Sequence, residues 1–164
     1  MSPRSVERKP VLFVGHSPNA NSLPALDPSP GNIAGRRLFE MTGWSMEDWL
    51  KHVDRVNVLP VGWQSMPATT QRVYARGMLE AGAFERRVVV FVGKSTVELF
   101  DRGLSDAKDL KWFRTPKLKS PSAWMHHTSG LSRHWNDPSN RLKFLAFMAN
   151  LLDSLERAYE RRED

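Results

Sequence analysis

The sequence predicts an α/β protein: a three-layer α/β/α sandwich around a central, mostly parallel sheet of four strands. Three observations carry that expectation. The runs at 11–14 and 88–92 are continuously apolar and rich in valine, as strands covered on both faces are. The stretches between the apolar runs carry helical spacing. Strand alternating with helix builds a parallel sheet with helices packed on it.

The first strand, Val11-Leu12-Phe13-Val14, stops at Gly15. The second spans 53–59 and stops at Pro60, which has no N–H for a ladder. The third, 88–92, stops at Gly93, and the weakest is Ala123-Trp124-Met125-His126. A helix is expected over 35–42, with Gly43 as its stop. A second is expected over 68–81, with Tyr74, Met78 and Ala81 on one stripe and Gly82 after it. A third begins at Ser95, where Ser95-Thr96-Val97-Glu98 has the order of a capping box. The last runs over about 138–159, with Leu145, Met148, Leu152, Leu155 and Tyr159 as the core-facing stripe.

The 164 residues suit one domain spanning 1–164, with 1–8 and 160–164 as frayed ends. Forty per cent apolar and 26% charged residues exclude wholesale disorder. Without cysteine there is no disulfide, no thiolate zinc site and no cysteine-held iron–sulfur cluster. Lys and Arg number 24 against 18 Asp and Glu, a net charge of +6, which suits a polyanionic partner. No signal peptide and no membrane-length apolar stretch is recognisable, so the expectation is a cytoplasmic protein away from membranes.

In parallel sheets ligands bind beyond the carboxyl ends of the strands. The informative loops therefore follow Val14, Leu59, Val92 and His126. Gly93-Lys94-Ser95 lacks the earlier glycine of a phosphate loop, since Val88 stands there, and reads as a tight turn into a helix. His126, His127 and His134 raise the question of a metal. Adjacent histidines on an extended segment point to opposite faces, so no metal site and no cofactor is expected. Gly15-His16-Ser17-Pro18-Asn19 resembles a nucleophile elbow only in part, because Asn19 occupies the place of the second glycine. It leaves open an acyl hydrolase using Ser17 with His127. The loop His127-Thr128-Ser129-Gly130-Leu131-Ser132-Arg133 combines an imidazole, hydroxyls, an apolar side chain and an arginine. Between 108 and 119, Lys108, Lys111, Arg114, Lys117 and Lys119 interleave with Trp112 and Phe113. That pattern fits a nucleic-acid surface, and equally a solvated connector whose aromatics cover the core.

These loops together resemble the uracil-DNA glycosylase superfamily, over about residues 10–152. Gly15-His16-Ser17-Pro18 matches its first-strand Gly-x-x-Pro. His127-Thr128-Ser129-Gly130-Leu131 matches its late His/Asn-Pro-Ser-x-Leu, and the stretch through Arg133 is most similar to the mismatch-specific branch. Pro30-Gly31-Asn32 is also similar to that branch, while the run from Gly31 to Leu38 contains the Gly-x-x-Ala-Gly-Arg-x-Leu of the iron–sulfur branch. Val56-Asn57-Val58 resembles the strand end that carries a base-reading asparagine.

The resemblance implies an enzyme that flips a uracil-like or modified base out of DNA and cleaves its N-glycosidic bond, acting as a monomer. His127 would stabilise the departing base, with Ser17 and His16 as the other catalytic candidates. Gly15, Asn19 and Asn57 would form the base pocket. Ser129, Ser132 and Arg133 would hold flanking phosphates, and Leu131 would wedge the stack. Ser17 stands where many members carry an acidic residue or asparagine, so His16 or Asp27 would have to replace that function. Asn19 replaces a glycine or tyrosine, and Thr128 a proline. A non-catalytic nucleic-acid-binding module on the same fold is the alternative implied by the neutral Ser17.

Overall fold

The computed structural model describes residues 8–18, 24–129 and 132–163. Strands β1 (Val11–Gly15), β2 (Val53–Asn57), β3 (Val88–Val92) and β4 (Ser122–Met125) form a four-stranded sheet in the order β2-β1-β3-β4. Every pairing between these strands is parallel. A separate antiparallel bridge joins Phe113 to Ser122 beside β4. Five α-helices, α1 (Ile33–Thr42), α2 (Met46–His52), α3 (Ala68–Glu80), α4 (Lys94–Phe100) and α5 (Pro138–Glu163), accompany the strands among the described residues, with short 3-10 turns at Trp63–Ser65, Arg102–Asp106 and His134–Asn136.

The alternation of β1 divides the core in two. Val11 and Phe13 enter one apolar cluster with Leu38 and Met41 of α1, Trp49 of α2 and Phe144, Met148 and Leu151 of α5. Leu12 and Val14 enter the other, with Ala75 of α3 and Val97 and Phe100 of α4. Helices thus cover both faces, and β1 and β3 are apolar throughout because neither of their faces meets water.

Several boundaries and faces differ from expectation for identifiable reasons. Helix α1 starts earlier than 35, because the Asn32 side chain caps it by accepting from Gly35 N–H at 3.4 Å. Its stop is as expected, with Gly43 left-handed at φ 69°. Strand β2 ends at Asn57, although Val58 and Leu59 still donate N–H bonds to the carbonyls of Gly15 and His16. Helix α4 has no capping box: Gly93, at φ 106°, turns the chain directly off β3, so the helix begins at Lys94 and Ser95 already lies inside it. Helix α2 was not anticipated, yet Ser45 caps it by accepting from Asp48 N–H at 3.1 Å.

The apolar stripes are only partly those expected. In α5 Met148 is buried and Leu152 and Leu155 pack against the core as expected, but Phe144 and Leu151 join them while Leu145 and Tyr159 are exposed. In α3 Met78 packs against the core as expected, but Ala75 is the buried residue and Tyr74 faces outward. Helix α5 continues to Glu163, and Arg8 donates to the Gly82 carbonyl; residues 1–7 and 164, the rest of the expected frayed ends, lie outside the described residues. Trp112 stacks on Phe147 at 5.0 Å, and Phe113 exchanges backbone bonds with Ser122. Phe113 is half-buried, whereas Trp112 rests on Phe147 and stays exposed. Among the described residues no helix is long and apolar enough to cross a membrane.

Gly35 has a specific steric role. A Cβ there would stand 2.0 Å from the Asp27 carbonyl oxygen and 2.4 Å from the Leu26 carbonyl carbon. Helix α1 therefore lies directly against the backbone of the 24–27 segment. Gly35→Ala is expected to lower unfolding free energy by about 1–3 kcal/mol, the usual cost of overpacking. Urea denaturation with an unchanged m-value would check it.

Candidate functional site: a polar cleft at the carboxyl edge of the sheet

Parallel register aligns the ends of the strands. Gly15 pairs with Asn57 across β1 and β2. Val92 pairs with Met125 across β3 and β4, and His127 follows two residues after Met125. Side chains alternate along an extended chain, so His127 shares the face of Met125, the face of the α1, α2 and α5 cluster. His126 is left on the face of Trp124. A cavity of about 150 Å³ opens there, lined by Gly15, His16, Ser17, Leu26, Asn57, His127 and Ser129 among others. The start of α1 closes one side through Asn32 and Ala34. A cavity of ~150 Å³ holds one benzene ring in a well-studied case, so the space suits a single planar ring.

His127 is the most constrained side chain of the cleft. Its Nδ1 accepts the Ser129 N–H at 2.9 Å. In a neutral imidazole only one nitrogen carries hydrogen, so the proton is on Nε2, which becomes the donor. Burial pushes the His127 pKa below its ordinary 6.5, favouring that neutral form. Gly93 lies behind the ring, where a Cβ would stand 3.3 Å from His127 Cδ2. A side chain at 93 would crowd the imidazole as well as strain a backbone at φ 106°.

The loop that carries His127 is tied down on several sides. Buried Thr128 donates its hydroxyl to the Ala34 carbonyl at 2.9 Å. Buried Trp135 donates Nε1 to the carbonyls of His127 and His126, at 3.0 and 3.3 Å. Arg37 Nη1 donates to the carbonyls of Ser129 and Ser132, at 3.0 and 3.3 Å. Sequence reading assigned Arg37 no role. Only the fold reveals that helix α1 aims it at a loop 92 residues away. Thr128 uses its hydroxyl, which a proline at this place would lack, to fix the loop to α1.

The opposite wall is formed by β1 and β2. Asn57 Oδ1 is so close to Gly15 that a Cβ on that glycine would stand 2.5 Å from it. Glycine at 15 therefore makes room for the amide. Arg55 donates Nη1 to the Leu26 carbonyl at 3.1 Å, holding the 24–27 wall against β2. His16 sets its ring edge-on to Trp63 at 4.7 Å, and Trp63 is a further residue that motif reading missed. The His16 pKa is lowered by burial first and by the nearby His127 second. Ser17 Oγ lies 3.2 Å from His16 Nδ1. The imidazole beside Ser17 is thus His16, whereas the sequence pairs Ser17 with His127.

Of the other candidates, Arg133 is exposed and Ser132 half-buried on the same loop. Asn19 and Leu131 lie outside the described residues. Asp27 accepts from Ser29 N–H at 2.8 Å and is not among the described lining residues. Its carboxyl is held below the usual range mainly by hydrogen bonding to Ser29. No carboxylate is among the described residues that line the cavity. Comparison of the chain with protein-family models gives no match, and comparison with curated proteins gives none.

The cleft holds two imidazoles that resist charging. His16 is expected to titrate below 6.5, with burial as the larger cause. His127→Asn removes the second cause and moves the His16 midpoint part of the way back, measured by NMR of the ring resonances. The linkage sign follows from a lowered folded pKa: below 6.5 the unfolded chain binds more protons. The stability contributed by neutral His16 is complete above 6.5 and is lost as pH falls towards the lower folded value.

Proposed function

We propose that the chain is a DNA glycosylase-like enzyme that takes one uracil-like or modified base into this cleft and cleaves its N-glycosidic bond. The observation that carries the reading is that Asn57 and His127, 70 residues apart, line one ring-sized cavity. An amide offers a donor and an acceptor side by side, which suits the edge of a nucleobase. A fixed Nε2–H donor suits an oxygen that gains negative charge as the base departs. Breaking the bond sends its electron pair to the base and leaves positive charge on the sugar. His127 would act on the base side of that separation. Ser129 lines the cleft; Ser132 and exposed Arg133, further along the same loop, would meet flanking phosphates, and the net charge of +6 favours a polyanion.

A second reading has its own observation. No carboxylate is among the described lining residues, so nothing charged there stabilises the sugar cation or activates water. A non-catalytic nucleic-acid-binding module follows, with salt-dependent binding and no base release.

Incubation with oligonucleotides carrying uracil, hydroxymethyluracil, mismatches and other modified bases separates the two readings. Mass spectrometry is expected to detect free base and an abasic strand. His127→Ala is expected to lower release by about 10²–10³-fold, the loss typical of one oxyanion-type donor, and Asn57→Ala to lower it as well. Unchanged release in both variants would reject the cleft as the reaction site. Salt-sensitive binding without release would leave the module.

A further inference from the structure

We propose that Asp109, His126 and His134 form a site for a divalent transition-metal ion of the zinc type. The site lies outside the cleft and does not depend on the function proposed for it. One ligand atom from each of the three residues lies within 4.8 Å of the others. His126 Nε2 is 3.9 Å from Asp109 Oδ2. The rings of His126 and His134 stack with centroids 3.7 Å apart. Sequence reading dismissed a metal because His126 and His127 face opposite ways. They do, and it is His134 that joins His126.

The three residues come from separate segments, each anchored by other bonds. Asp109 is bracketed by Leu110 N–H donating to the Trp124 carbonyl at 2.9 Å and by Trp124 Nε1 donating to the Ala107 carbonyl at 2.8 Å. Trp135 Nε1 holds the carbonyl of His126. Asn140 Nδ2 holds the carbonyl of His134 at 2.9 Å. The side chains are therefore gathered by the fold itself, which lowers the ordering cost of binding.

Two imidazole nitrogens and one carboxylate oxygen are a borderline donor set. They suit Zn²⁺ and its neighbours Co²⁺, Ni²⁺ and Cu²⁺, and they do not suit Mg²⁺ or Ca²⁺, which take oxygen cages. Zinc bonds of ~2.0–2.2 Å bring tetrahedral ligand atoms to roughly 3.5 Å apart. The site would close by ring rotation, since planes only 19° apart send their lone pairs side by side. The His126 and Asp109 side chains are 38% and 27% exposed, so an ion from solvent can reach the cluster. His126 and His134 are also the two ends of the loop that carries Ser129.

The test uses the full chain without a polyhistidine tag, titrated with Zn²⁺ by calorimetry and with Co²⁺ by visible absorption. One Zn²⁺ per chain is expected, with displacement of Co²⁺ by Zn²⁺ and no competition from Mg²⁺. Asp109→Asn, His126→Asn and His134→Asn should each weaken binding at least ~10-fold, the loss seen even for outer partners of a ligand. His16→Asn and His52→Asn should leave the affinity intact. Circular dichroism in chelator establishes that each variant folds, and Asp109→Asn decides if a histidine variant does not. Absence of stoichiometric Zn²⁺ binding, or affinity retained in Asp109→Asn, would overturn the site.

Discussion

The parallel register of β1, β2, β3 and β4 is the constraint from which the cleft follows. Residues level with one another in a parallel ladder share a face, and the face alternates with every step. Gly15 and Asn57 are partners in that ladder. His127 is reached by two further residues from Met125, itself level with Val92. A slip of one residue in β2 would turn Asn57 away and drive the Arg55 guanidinium off the Leu26 carbonyl it now holds. The register is protected because the same alternation fills both cores. Val11, Phe13, Val90 and Met125 cannot change sides without placing Leu12, Val14, Phe91 and Trp124 against the wrong helices.

The register brings strand ends together, but a loop must still be given a shape. Here the work is done by polar groups buried or half-buried around residues 126–132. Thr128, Trp135 and Arg37 each satisfy backbone carbonyls of that loop or of the helix beside it. A loop so near the core leaves carbonyls that cost free energy when unmet, and these side chains meet them. The same bonds set the chemistry. Because Ser129 N–H is turned inward onto His127 Nδ1, the backbone decides which nitrogen of the imidazole carries the proton. A catalytic or binding role for His127 thus depends on the conformation of the residues after it as much as on the ring.

The sheet was legible in the sequence because a buried parallel strand is an unbroken apolar run, and β1 and β3 are such runs. Placing functional loops at the carboxyl ends then required only topology. Helix faces were less legible. In α5, Leu145 and Phe144 are adjacent apolar residues, and spacing alone does not choose between the stripe through 145 and the stripe through 144. The sheet chooses, by burying Phe144, Met148 and Leu151. The Ser95 cap failed because Gly93 at φ 106° moves the helix start, and a glycine's sign of φ is not written in its neighbours. Helix α2 had a readable signal in Ser45 followed by Glu47 and Asp48, which complements the helix dipole. Arg37, Trp63 and the meeting of His126 with His134 had none, since each depends on where a distant segment passes.

What remains is the one-sidedness of the cleft. Its described polar side chains are neutral: two amides, two hydroxyls and two imidazoles whose pKa values are lowered chiefly by burial. His127 also disfavours charge on His16. Neutral dipoles fixed in advance stabilise a developing charge without reorganising, so the base side of a glycosidic bond is well served. The sugar side is not, because a cation there gains most from a carboxylate, and the Asp27 carboxyl is committed to Ser29 outside the described lining. On the glycosylase proposal, a leaving group that needs little help from the sugar side is the substrate this distribution would suit. On that proposal an electron-poor base, which holds negative charge better, would depart more readily than an ordinary pyrimidine. The same distribution in a protein that only binds would read a base edge through Asn57 and leave the bond whole. Which outcome holds is set by how much of the charge separation His127 alone can carry.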